Sequence, residues 1–235
     1  MIFRKKSRRD DELPEDYDES ADGDDLAELD DLEVPRPRGP WDREETDADE
    51  GDDSYIDLGG LLVKGMEGLE LRLQVEDQEG TVSGIMLAGP DSGLELRAFA
   101  APRSAGIWDG VREDIAAEAI RLGGTATEID GEFGTELVLS VPVTLPDGKT
   151  ATQPSRVVGV DGPRWLLRGT FLGRSVQNPD PDGPLETAFR NVIVARGDEP
   201  MAPRDMIPMH MPAQAQAQLA QQQDPGDPEA GTLEQ

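Results

Sequence analysis

The stretch GTELVLSVPVTLPDGKTATQPSRVVGVDGPRWLLRGTF, Gly134 to Phe171, decides the fold. Leu137, Leu139, Val141 and Val143 alternate with Glu136, Ser140 and Pro142, the period of two that belongs to a strand with one buried face. Pro146-Asp147-Gly148 has turn chemistry, Val157 to Val160 brings the chain back, Asp161-Gly162-Pro163 turns it again, and Trp165 to Phe171 makes a third pass. Connections this short join antiparallel neighbours, because a parallel crossover takes about a dozen residues or more. The expectation is an antiparallel meander against which the remaining elements pack.

Upstream of it, Leu69, Leu71, Leu73 and Val75 alternate with charged and polar residues, a half-buried strand, and Asp57 to Val63 reads as a short entry strand broken by glycines. Ile85 to Ala88 is apolar on both faces and suits a covered central strand, and Leu94 to Phe99 alternates again. From Ser104 to Leu122 the period changes: Ile107, Val111, Ile115 and Leu122, with Trp108 and Ala119, form a helical stripe. Ser104 is the expected N-cap and Gly123-Gly124 the stop. A second helix is expected from Pro184 to about Arg196, with Leu185, Phe189, Val192 and Ile193 on one face. Pro200 to Pro212 is too rich in proline for a helix, while its four methionines and Ile207 predict an extended segment pinned to the domain.

The 235-residue chain carries a formal charge of -28, and residues 1–53 alone hold 22 acidic against 8 basic side chains. That leader has too little apolar surface to offset the entropy of ordering. It is expected to be disordered, as is the Ala/Gln-rich run from residue 213 to 235. Residues 54–212 form one expected α+β domain: an antiparallel sheet of about seven strands with two packed helices. A domain of roughly 155 residues buries about 70% of its unfolded surface and needs no staple. The chain has no cysteine, which removes disulfides, thiolate ligands and cysteine nucleophiles. No stretch approaches the ~20 apolar residues that span a bilayer, and no apolar run follows the basic N-terminus as in a signal peptide. The expected location is the cytoplasm.

The acidic leader, Asp57-Leu58-Gly59, the strand pair, Trp165-Leu166-Leu167-Arg168-Gly169 and the closing Arg196-Gly197-Asp198-Glu199-Pro200-Met201-Ala202-Pro203-Arg204 resemble the actinobacterial domain of unknown function 3710 family, over Tyr55 to Pro212. The resemblance implies no catalytic motif, and members of that family tend to be encoded near a dUTPase. The layout from Trp165 to Val194, an aromatic strand, a turn and a Phe-centred helix, is similar to the Mog1/PsbP-like sandwich, which implies protein binding.

Reactive groups are sparse. The only histidine, His210, lies between two methionines, and one histidine without cysteine builds no conventional zinc site. Glu113 with Asp114 and Glu128 with Asp130 are candidate carboxylate pairs, but acid/base work needs one of a facing pair buried. The Asp-rich leader matches no EF-hand spacing and no Walker A pattern occurs. No metal, cofactor or catalytic residue is expected. The candidate binding residues are cationic and aromatic: Arg156, Arg164, Trp165, Arg168 and Arg174. Alternation puts Arg156 in phase with Val158 and Val160, which is awkward for a core, and Arg168 opposite in phase to Trp165. The expected function is a non-enzymatic cytoplasmic protein-interaction or binding module whose partner, an unidentified protein, the sequence does not name. The alternative is a nucleic-acid accessory protein that uses the arginine-bearing sheet face, where guanidinium groups beside an aromatic ring suit bases and phosphates.

Overall fold

The computed structural model describes residues 38–46, 54–75, 81–104 and 106–212. The leader up to residue 37 and the tail from residue 213, both expected to be disordered, lie outside the described residues. The elements are β1 (Trp41–Asp42), β2 (Tyr55–Asp57), β3 (Leu61–Lys64), β4 (Glu70–Val75), β5 (Thr81–Ala88), β6 (Ser92–Ala100), α1 (Trp108–Arg121), β7 (Thr125–Gly131), β8 (Gly134–Thr144), β9 (Thr150–Gly162), β10 (Trp165–Gly173), α2 (Pro184–Arg190), β11 (Ile193–Val194) and β12 (Met209–His210).

The meander forms as the alternation predicts. Strands β7, β8, β9 and β10 pair consecutively and antiparallel, with Leu137 opposite Val157 and Arg156 opposite Phe171. The free edge of β10 takes β6, Trp165 opposite Ala100, and β6 takes β5. With β4 and β12 attached to β5, the large sheet has eight strands among the described residues. The fold is thus α+β with two helices. The turn between β9 and β10 contains only Pro163 and Arg164, since Gly162 already pairs with Trp165; Arg164 takes a positive φ of 58° there.

Strand β10 divides two cores. Trp165, Leu167 and Phe171 face one side with Leu94, Leu96, Ile85 and Val158, and are covered by Leu185, Ala188 and Phe189 of α2 and by Leu61, Val63, Val192 and Val194. Leu61, Val63 and Val194 belong to a second, four-stranded sheet in the order β1-β11-β3-β2, and Val192 leads into it. Leu166 faces the other side with Leu137, Leu139 and Val157, under Trp108 and Ala119 of α1. Gly159 is what lets α1 settle: a Cβ there would stand 2.2 Å from the Trp108 ring.

Three differences from the sequence expectations share one cause, a partner distant in the chain. Helix α1 has no side-chain cap from Ser104; the carboxylate of Asp161, at the end of β9, accepts from the backbone N–H of Ile107 (2.8 Å) and of Trp108 (3.2 Å). Helix α2 ends at Arg190 rather than near Arg196, because Ile193–Val194 form a strand held parallel by β1 and antiparallel by β3. Val192, Ile193 and Val194 are all buried, which three consecutive residues on an amphipathic helix face cannot be. Residues 38–46, part of the leader expected to be disordered, pack on the domain: Asp42 accepts from Trp165 Nε1 at 2.6 Å and from Glu44 N at 2.9 Å, and its own N–H donates to Glu45. The C-terminal segment, by contrast, behaves as expected and fills a split in the large sheet. Val75 of β4 occupies one edge of Val82, so Met209 must take the edge that carries β6 from Ile85 onward, and Met206 bridges Phe99 of β6. Ile207 and Met209 are buried there, as the pinned-segment expectation has it.

The Asp42 contact is testable. Asp42→Ala removes the Asp42 carboxylate that accepts from the buried Trp165 indole N–H, a loss of about 1–3 kcal/mol, measured as a lower urea midpoint at unchanged slope. Asp42→Asn keeps an acceptor oxygen and loses less.

Candidate ligand-binding groove

Helix α1 covers only the β7–β9 half of its sheet face. Where it stops, a groove of about 430 Å³ opens between the helix and strands β6, β8 and β10. Its walls are apolar: Ile107, Val111, Ile115, Ala119 and Leu122 from the helix side, Phe99, Leu139 and Val141 from the sheet. Four charged residues also line it, Asp114, Glu118, Arg168 and Arg204.

Three of those four are neutralised locally. Arg204 donates to Asp114 at 2.6 Å, and Arg121 donates twice to Glu118 at 2.6 Å. Arg168 is different. It stands opposite Arg97 across the β6–β10 ladder, but Arg97 is committed to Glu95 at 2.6 Å. Arg168 has no carboxylate partner among the described residues; its guanidinium lies over the Phe99 ring, 5.2 Å from the centroid, and its Nε is buried without an acceptor. Burial, and then the repulsion of Arg97, hold its pKa below the usual guanidinium value.

The five residues singled out in the sequence do not form one surface. Arg156 and Trp165 are sealed beneath α2 and the small sheet, 2% and 0% exposed. Arg168 faces the opposite side of the sheet. Arg164 sits at the β9–β10 turn, donating to the Gly197 carbonyl at 3.2 Å with Asp198 at 3.6 Å. Arg174 follows the far end of β10, about 30 Å away at ~3.3 Å per residue, exposed and 3.6 Å from Asp91.

Arg156 is nonetheless engaged by two carboxylates and a ring. It donates to Glu136 at 3.0 Å and to Glu186 at 2.5 Å, and its guanidinium lies 4.0 Å from the centre of the Phe171 ring. Its phase with Val158 is awkward for a core only until Glu136 from β8 and Glu186 from α2 are brought against it. One guanidinium serving two buried carboxylates leaves a negative charge out of water, and burial raises the Glu186 pKa above its ordinary value. Glu186 also lines a second, more polar cleft of about 570 Å³, together with Arg174, Asp91 and Ser175. Its carboxylate is turned onto Arg156 rather than offered to that cleft.

The other candidates have plain partners. Asp114 is paired as above and Glu128 accepts from Arg112 at 2.9 Å. The His210 ring lies against Gly59, where a Cβ would meet it at 2.2 Å. Among the described residues no three His, Cys, Asp or Glu side chains gather as metal ligands, and no helix is long and apolar enough to cross a membrane. Sequence reading missed the groove. The available signals were Phe99 and Arg168 on neighbouring strands and a helical stripe that ends on the exposed Leu122.

Residues 39–218 match the family described as a protein of unknown function (DUF3710), and the chain belongs to that family. The match begins within the segment that pairs through β1, and it carries no identified catalytic role. No curated protein matches the sequence.

The two inward-facing arginines predict opposite outcomes. Arg156→Met strands two buried carboxylates and destabilises by about 3–5 kcal/mol, whereas Arg168→Met breaks no ion pair and removes a buried unpaired donor, so its stability matches or exceeds the wild type in chemical denaturation. The raised folded-state pKa of Glu186 also sets a sign for pH. The folded form holds the proton more tightly than the unfolded form, so this group's contribution is complete below the unfolded carboxylate pKa and is lost as pH rises through the folded value. Glu186→Gln therefore gains on the wild type as pH is raised across that interval, read as the difference in urea midpoint at each pH.

Proposed function

We propose that this DUF3710 protein is a non-enzymatic cytoplasmic binding module and that the groove beside α1 is its working surface. The observation that carries the reading is Arg168, a partly buried cation without a carboxylate partner, at the side of an otherwise apolar, locally neutralised groove. A volume of about 430 Å³ lies within the range of roughly 300–1,000 Å³ usual for pockets that take small ligands or side-chain clusters. The walls are held at several points: Asp161 secures the start of α1, the turn at Gly123 its end, and Trp108 donates from Nε1 to the Thr135 carbonyl at 2.8 Å. Such anchoring favours a preformed site, which loses little entropy on binding.

Nucleic-acid association is the other reading, supported by the uncovered half of the same sheet face, where Arg72, Arg97 and Arg168 lie. Two of these spend their charge on neighbours, Arg72 on Glu70 at 2.7 Å and Arg97 on Glu95 at 2.6 Å. That leaves little to displace counterions from a phosphate backbone.

A neutral apolar dye, N-phenyl-1-naphthylamine, distinguishes the two readings. Its fluorescence should rise on adding the wild-type protein, and Leu122→Glu, at the exposed mouth of the groove, should weaken the interaction several-fold without lowering the melting temperature. Single-stranded DNA should neither displace the dye nor bind at low salt; a salt-dependent complex with DNA, and no dye uptake, would reverse the assignment.

A further inference from the structure

The geometry points to an alkyl carboxylate as the groove's ligand, its carboxylate on the Arg168 guanidinium and its chain laid between Phe99 and the Val111–Ile115 face of α1. The inference rests on the groove being the binding surface and adds the chemistry of what enters it.

A carboxylate binds arginine best through two parallel N–H bonds, as on the two terminal nitrogens of the guanidinium. Nε of Arg168 is enclosed without an acceptor, and no salt bridge holds the terminal nitrogens among the described residues, which leaves those two donors for a ligand in the groove. A point anion such as phosphate would leave the apolar walls unused, and a neutral hydrocarbon would leave the guanidinium unanswered. An amphipathic anion satisfies both.

Charge bookkeeping over the surrounding elements agrees. From α1 the groups facing the groove are Asp114 and Glu118, each occupied by an arginine at 2.6 Å; from the C-terminal segment it is Arg204, the partner of Asp114; from β6 it is the Glu95–Arg97 pair. Each of these sums to zero, so Arg168 supplies a local excess of one positive charge in a chain whose formal charge is -28. A negative ligand therefore finds attraction at this spot and repulsion over much of the remaining surface. A cationic amphiphile would be drawn to the surface at large and rejected here.

The experiment displaces N-phenyl-1-naphthylamine from the full-length protein with decanoate, decan-1-ol and decylammonium, each below its aggregation concentration. Decanoate is expected to act at concentrations about 10- to 100-fold below decan-1-ol, the range of a charge-assisted hydrogen bond, and decylammonium to be the weakest of the three. Octanoate should be weaker than decanoate by roughly fourfold for each of the two methylenes lost. Arg168→Gln should bring decanoate to the level of decan-1-ol. Equal displacement by decanoate and decan-1-ol in the wild type, or a carboxylate preference that survives Arg168→Gln, overturns the inference and leaves the groove as a binding surface. Failure of the dye and of all three amphiphiles to bind overturns both. Leu122→Glu provides a second check, since an added carboxylate at the mouth should penalise decanoate more than decan-1-ol.

Discussion

Strand β10 has to bury Trp165, Leu166 and Leu167 together, all at 0% exposure, and successive side chains on a strand point to opposite faces. No single covering layer can meet that demand. One face needs α2 and the small sheet, the other needs α1, and each cover has its own anchor on the meander. Trp165 binds Asp42 on one side; Asp161, at the end of the neighbouring strand, caps α1 on the other. The two cores are thus tied to one hairpin.

The covers differ in extent, and the groove follows from that difference. The face under α2 is closed by a helix, four short strands and the C-terminal segment, whose Ile207 and Met209 enter the same core. The opposite face has a single helix of 14 residues lying over β7, β8 and β9. Beyond its edge the sheet surface becomes polar and pairs its own charges, Glu70 with Arg72 and Glu95 with Arg97. At the border between the two regimes, Phe99 and Arg168 are neither covered nor fully solvated.

Arg156 and Arg168 show how little residue type alone says about a charge in a strand. Both lie in the meander and both stack on a phenylalanine. Arg156 is met by Glu136 and Glu186, so its charge becomes part of the structure, and two hydrogen-bonded pairs offset part of the desolvation cost of the triad. Arg168 is met by Arg97, which is already paired. Its charge is left without a carboxylate partner among the described residues.

Periodicity and turn chemistry were enough to read the meander, the half-buried β4, the position of α1 and the pinned methionine segment, because each is a local pattern of side-chain spacing along one stretch of chain. The length of α2, the true cap of α1, the inclusion of residues 38–46 and the fate of each arginine were decided only in three dimensions. Ile193 extends as a strand because β1 and β3 flank it, Asp161 caps a helix more than 50 residues away, and Arg156 is tolerable inside because two distant glutamates meet it. A sequence records the spacing of neighbours along the chain; which carboxylate, amide or strand edge arrives from elsewhere to satisfy a buried polar group is settled by packing.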